Sequence, residues 1–137
     1  MNDKIYQLCK GAVVGCAFAL LCSIVACQNP KEISYEELLL GKWQATQLME
    51  QDSLLKFDLS AVQLEFFEGN RYGFKGTLRE LEAGTYRVQK DLLFTNDTLA
   101  QPPHEKVVRI LNLTLDSLQL EMLDQNRKRV LGLERAK

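Results

Sequence analysis

Few side chains in this sequence could carry chemistry, and they lie far apart. His104 is the sole histidine, set in Gln101-Pro102-Pro103-His104-Glu105. A zinc site rich in histidine needs three or four such ligands, and a Cys–His nucleophile pair needs a free thiolate beside the imidazole. The four cysteines are Cys9, Cys16, Cys22 and Cys27, all far from His104 in sequence. Paired carboxylates occur at Glu36-Glu37 and at Glu80 with Glu82, on segments that read as helix or loop surface. No Gly-rich phosphate loop, HExxH or GxSxG is present. The expectation is therefore no catalytic residue, no metal ligand, no cofactor and no enzymatic activity. With 17 Lys and Arg against 18 Asp and Glu, net charge −1, the chain also lacks the basic footprint of a nucleic-acid binder.

What the cysteines do depends on the segment around them. Residues 11–26 form an uncharged, mostly apolar run of 16 residues, short of the roughly 20 needed to span hydrocarbon. It follows MNDKIYQLCK, whose Lys4, Lys10 and amino terminus outweigh Asp3. A positive start, an apolar run and a small residue before a break describe a secretory signal.

At its end, Ile24-Val25-Ala26-Cys27 resembles the lipobox of bacterial lipoproteins. The resemblance implies cleavage before Cys27, a diacylglycerol on its sulfur and acylation of the new amino terminus. The physical need fits, because one acyl chain holds a protein marginally whereas two or three hold it stably. Residues 1–26 then read as signal peptide, 27–33 as lipidated cysteine and tether, and 34–137 as the domain. Only Cys27 remains after processing, so the domain has no disulfide and no free thiol, and its core alone must hold it. The five-residue tether 28–32 reaches about 18 Å and keeps the domain near its membrane. Gln28, rather than Asp, follows the cysteine, which is similar to the pattern releasing lipoproteins toward the outer membrane in some Gram-negative bacteria. The expected location is the cell envelope, lipid-anchored, at the outer membrane, with its face left open.

The elements that must position any site begin with Ser34-Tyr35-Glu36-Glu37, a capping box, followed by three leucines and Gly41. This predicts a helix of about two turns ending at the glycine. From Lys42 the apolar period becomes two. Candidate strands are 42–49, 62–67, 71–78, 85–89, 92–95, 106–113, 118–123 and 128–135. In the second, Val62, Leu64 and Phe66 oppose Gln63 and Glu65. Eight short strands without an intervening helix indicate an all-β antiparallel meander, closed as a barrel or folded as a sandwich. Long or medium connections (50–61, 79–84, 96–105 and 124–127) alternate with tight ones. In an up-and-down barrel this places every tight turn at a floor and every longer loop at a mouth.

Gly41-Lys42-Trp43, Phe66-Phe67-Glu68-Gly69-Asn70-Arg71-Tyr72, Glu82-Ala83-Gly84-Thr85-Tyr86 and Leu113-Thr114-Leu115-Asp116-Ser117-Leu118-Gln119-Leu120 together resemble the lipocalin-like domains of small bacterial lipoproteins. The resemblance spans roughly residues 34 to 135 and implies an eight-stranded barrel. It also implies that Trp43 plugs the floor beneath a late arginine, and Arg135 is placed for that role where the last strand meets the first. Arg127 and Arg129 fall toward the mouth and, with Lys128, read as a solvated basic run. Inward residues Leu64, Phe66, Tyr72, Phe74, Tyr86, Ile110, Leu120 and Met122 have two readings, lining of a small pocket or plain packing, because eight strands nearly fill a barrel. The expected partners are the membrane through Cys27 and a small hydrophobic ligand, or else another envelope protein docked on a filled barrel. Finally, Asp52-Ser53-Leu54, Asp97-Thr98-Leu99 and Asp116-Ser117-Leu118 are similar to an acceptor motif for O-glycosylation of exported proteins, which would modify Ser53, Thr98 and Ser117. Turn chemistry accounts for the same residues equally well.

Overall fold

The period-two alternation becomes one antiparallel meander in the computed structural model, which describes residues 32–137. The expected signal peptide 1–26, the lipidated Cys27 and tether residues 28–31 lie outside the described residues. A short helix, α1 (Tyr35–Leu39), precedes nine strands: β1 (Gly41–Glu50), β2 (Ser53–Leu54), β3 (Gln63–Phe67), β4 (Arg71–Lys75), β5 (Leu81–Gln89), β6 (Leu92–Asp97), β7 (His104–Leu113), β8 (Ser117–Asp124) and β9 (Arg127–Arg135). Each strand from β3 onward pairs with the next, and β1 pairs with both β3 and β9. The ring closes from Trp43 opposite Arg135 to Glu50 opposite Arg129, with a bulge between Ala45 and Gln47. The result is a closed eight-stranded up-and-down barrel, with β2 as a two-residue extension outside it. Closure leaves no long unpaired edge. Residues Ile33–Lys137 form a compact unit of their own, and all nine strands and every buried core residue lie inside it.

Alternation decides which side chains fill the ring. Val62, Leu64 and Phe66 are buried while Gln63 and Glu65 between them are not. Leu118 and Leu120 on β8, and Leu131 and Leu133 on β9, repeat the pattern. At one end the connections are tight. One runs through Gly69 and Asn70, both at positive φ (76° and 56°), and another through Lys90 (φ 58°), conformations that match the twist of paired strands.

The other end carries the longer loops, though two are shorter than the sequence suggests. The segment 79–84 is not a loop beyond Glu80, because Leu81 to Gly84 pair with Lys75 to Tyr72 and extend β5. In the segment 96–105, Asp97 and His104 pair and close the loop to residues 98–103; His104 thus heads a strand rather than riding a mouth loop. The 50–61 connection hides a second hairpin: Gln51 and Asp52 turn with φ 49° and 64°, and Ser53 and Leu54 fold back on Glu50 and Met49. Gln125 and Asn126 make the same turn (φ 49° and 64°) between β8 and β9. Positive φ at glutamine carries a weak sequence signature, which is why the 51–52 hairpin is hard to foresee, whereas the 124–127 connection is expected from the strand pattern.

The floor is built by α1. Ser34 Oγ accepts the Glu37 N–H (3.2 Å) as its N-cap, and the helix runs five residues to Leu40, the C-cap. It is shorter than the two turns expected; Gly41, at φ +113° just past the C-cap, both ends the helix and begins β1. Leu39 is its only buried residue. So short a helix cannot satisfy its own last carbonyls. Trp43 Nε1 donates to Leu39 O at 2.8 Å. Arg135 Nη1 and Nη2 donate to Leu40 O (2.6 Å) and Leu38 O (2.9 Å), and its Nε donates to Leu115 O. The guanidinium lies 4.3 Å from the centroid of the fully buried Trp43 ring. Gly41 sits at φ +113°, and a Cβ there would stand 2.7 Å from Arg135 Nη1; the glycine permits both the sharp turn out of α1 and the approach of the arginine. Arg135→Met keeps an apolar stem over the indole and leaves three carbonyls without their donor. It should lower unfolding free energy by about 1–3 kcal/mol in urea titrations, and an unchanged midpoint would contradict this account of the floor.

Candidate functional site

The lower half of the barrel is solid. Trp43, Phe66, Leu118, Leu120 and Leu133 meet there, and Phe66 packs edge-on against Tyr86 with ring centroids 4.8 Å apart at 71°. Of the eight expected lining residues, Leu64, Phe66, Tyr72, Tyr86, Ile110 and Leu120 are buried members of this core and line no part of the mouth. Packing is the reading the structure supports for these six. Eight strands leave a bore that such side chains close completely. Phe74 and Met122, one layer higher, are only partly buried.

Above that layer the wall parts. Pairing between β1 and β3 ends at Gln44 opposite Gln63, where Ala45 N–H donates to Val62 O at 3.0 Å. β1 continues along β9 alone, so a gap opens between its upper half and β3. Residues 55–62 cover that gap. Leu55 N–H donates to Leu48 O (2.9 Å), and the Gln44 carboxamide reaches Leu59 O and Val62 O (3.0 Å each) while accepting from Gln63 Nε2 (3.0 Å). Leu59 and Val62 are thereby drawn against the core.

Behind this flap lies a cavity of about 520 Å³, open at the rim. That size falls within the roughly 300–1,000 Å³ of small-molecule sites. Leu48, Leu59, Val62, Phe74, Met122 and Leu131 give it apolar walls, while Arg129, Asp58, Thr77 and Glu80 supply polar groups. Phe74 and Met122 are thus the expected lining residues that do line it. Arg129 is the cavity-lining residue that sequence reasoning did not single out, having grouped it with its solvated neighbours. The signal was present in the alternation: Arg129 shares a strand face with Leu131 and Leu133, whereas Lys128 points outward to Glu121 (3.6 Å).

Arg129 is held from two sides. Its Nε donates to Glu50 Oε2 and its Nη1 contacts Asp124 Oδ2, both at 2.6 Å. Arg127 Nη1 reaches the other Glu50 oxygen at 3.1 Å. Closure of the ring makes this possible, since Glu50 lies at the top of β1 and its partners at the tops of β8 and β9. The Arg129 hydrogen bond lowers the Glu50 carboxyl below its ordinary 4.5, against the opposing effect of burial and with help from the Arg127 and Arg129 charges. The same bond to Glu50 raises Arg129.

A second polar group faces the bore from the far side. The Tyr72 hydroxyl contacts Glu82 Oε2 at 3.3 Å, and Lys106 Nζ pairs with Glu82 Oε1. Burial, above all, pushes the Tyr72 phenol up to about 12, with the Glu82 and Asp97 charges adding to it and a Thr95 hydrogen bond opposing. Tyr72 therefore stays protonated and serves as a donor.

The other sequence candidates gather no site. His104 is exposed at the head of β7, opposite Asp97. Among the described residues no cluster of His, Cys, Asp and Glu could hold a metal ion. Asp97 is buried because its Oδ1 accepts the Leu99 and Ala83 N–H groups (3.0 and 3.4 Å), and Thr98 Oγ1 donates to Ala83 O at 3.1 Å. The Ser117 hydroxyl is bonded to Asn112 and Thr114 (3.0 and 2.9 Å), and Leu118 is fully buried. Turn chemistry and packing thus account for two of the three Asp-hydroxyl-Leu triplets. Ser53, exposed on β2, follows the Gln51–Asp52 hairpin turn and pairs with Glu50.

No protein-family model matches the chain, and no curated protein matches it. Among solved structures it is similar to a lipocalin-like protein from Bacteroides uniformis, with 18% identity over 72% of this chain and 99% of that one, at a TM-score of 0.50. The likeness shows the fold alone, a lipocalin-like barrel.

The mouth cluster has a pH signature. A carboxyl whose folded value is lowered contributes stability that is complete above its ordinary value and is lost as pH falls through the folded one. Glu50→Gln should therefore flatten the fall of melting temperature with acidification below pH 4.5. Equal slopes for the two proteins in thermal scans would show that Glu50 carries no such linkage.

Proposed function

We propose that this chain is a lipid-anchored cell-envelope protein whose barrel binds a small apolar or amphipathic molecule in the mouth cavity. The observation that carries the reading is the apolar void of about 520 Å³ behind the 55–62 flap, bordered by a polar rim. A ligand whose tail meets Leu48, Met122 and Leu131 would leave its head beside Arg129, Asp58 and Glu80. Removing apolar surface from water stabilises such a complex by about 25 cal/mol per Å² before the costs of association. The anchoring half of the reading rests on Ile24-Val25-Ala26-Cys27 at the end of the apolar run, with the outer membrane as the proposed location.

A second reading is an interaction module. Leu54, Phe57, Leu78, Leu99 and Leu123 are all exposed near the mouth, and another envelope protein could cover them while the bore below stays filled.

Native mass spectrometry of residues 28–137, exposed to an extract of envelope lipids and small metabolites, separates the two. A discrete adduct that disappears in Met122→Trp or Phe74→Trp, each still folded by circular dichroism, is the expected result. A bare mass for the unaltered protein would remove the ligand reading. For the anchor, labelled palmitate fed to expressing bacteria should enter the protein, and Cys27→Ala should abolish incorporation; label retained by that variant would refute acylation at Cys27.

A further inference from the structure

The two ends of the barrel differ in what they expose and in how the chain reaches them. At the mouth, Leu54, Phe57, Leu78, Leu99 and Leu123 stand in solvent. At the floor, Ile33 and Tyr35 lead into α1 and are exposed, as is Leu115 in the β7–β8 turn. The Arg135 guanidinium donates to the carbonyls of Leu115, Leu38 and Leu40, so that turn and the helix lie side by side. Between the ends the outer wall is charged, with ion pairs Lys42–Glu65, Arg87–Glu105 and Lys128–Glu121. A wall of that kind stays in water. By apolarity alone, the mouth would be the end that meets a membrane.

Tether length decides otherwise. Under the anchored reading the lipid sits on Cys27, and the compact domain begins at Ile33, where α1 approaches the floor. Residues 28–32 stretch to about 18 Å at most. β1 runs ten residues from Gly41 at the floor to Glu50 at the mouth. At roughly 3.3 Å per residue and a tilt of about 40°, that is a height of about 23 Å, before the loops above it are added. A mouth laid on the anchoring bilayer would lift the floor beyond the reach of its tether.

We infer that the barrel stands floor-down on the membrane that holds Cys27, with Ile33, Tyr35 and Leu115 at the lipid interface and the cavity opening away from it. The orientation rests on the anchored reading above and goes beyond it by giving the cavity a direction. The contact is shallow. Glu36 and Glu37 on the same helix oppose deep burial, whereas a tyrosine suits head-group depth, its ring among lipid and its hydroxyl in water. The cavity then exchanges its ligand with the aqueous compartment, not with the leaflet in which the protein is anchored.

Residues 27–137 contain one thiol, Cys27, which can be coupled to a maleimide lipid in phosphatidylcholine vesicles with brominated acyl chains. Leu115→Trp reports on the floor and Leu78→Trp on the mouth, each read as the difference from the unaltered protein. Both positions are exposed, so neither change disturbs the core. Against vesicles without bromine, the Leu115→Trp signal should fall by about half, as for an indole roughly 5–10 Å into the interface. The Leu78→Trp signal should not change. Quenching of Leu78→Trp, alone or to an equal degree, or quenching of neither, would overturn the orientation. Coupling supplies the anchor chemically, so such a result leaves natural acylation of Cys27 to the palmitate label. A failed palmitate label removes the natural anchor whatever the quenching shows.

Discussion

The guanidinium of Arg135 ties together the two ends of the chain. One side chain accounts for three of the carbonyl groups that a five-residue helix and a floor turn cannot satisfy themselves, while its flat face covers the Trp43 ring. A helix this short has no independent stability, so α1 exists only where Arg135 and Trp43 receive its carbonyls and Leu39 enters the bore. The register that brings Arg135 opposite Trp43 is also the register that closes the barrel. One constraint therefore sets the lid on the floor, the starting position of β1 and the match of the first strand to the last.

Given that closure, the distribution of space follows. A bore of eight strands is narrow enough for Phe66, Tyr86, Leu118, Leu120 and Leu133 to fill near the floor. Room appears where β1 leaves β3 above Gln44. The flap 55–62 covers the parting without filling it, because its apolar residues Leu59 and Val62 pack to the core while Phe57 and Asp58 border the cavity. Gln44 holds the arrangement by donating its carboxamide to the Leu59 and Val62 carbonyls of the flap.

The same parting places opposite charges where they act on one another. Glu50 ends β1 at the point where Asp124 and Arg127 flank the β8–β9 turn, so the top of the barrel is fastened electrostatically as the bottom is by Arg135. Packing a cation against two acids leaves it little capacity for a third. Asp58 and Glu80 border the same cavity from two separate loops.

Much of this was legible in residue order. Alternation located all eight barrel strands, the spacing of connections assigned floor and mouth, and Gly41-Lys42-Trp43 with Arg135 marked the join. What alternation cannot show is depth: Phe66 and Phe74 have the same type and the same strand face, yet one is sealed in the core and the other borders a cavity. Nor can it show that β5 begins at Leu81, because the β4–β5 ladder there rests on backbone pairing. Alternation separates Arg129, on the face of Leu131 and Leu133, from the outward Lys128, but only the closed ring sets it opposite Glu50. The sequence by itself determined the fold class and the order of the strands, since these depend on period and local chemistry. Tertiary structure decided where the barrel is hollow and what charge surrounds the hollow, because both depend on which strands part and which loops meet across them.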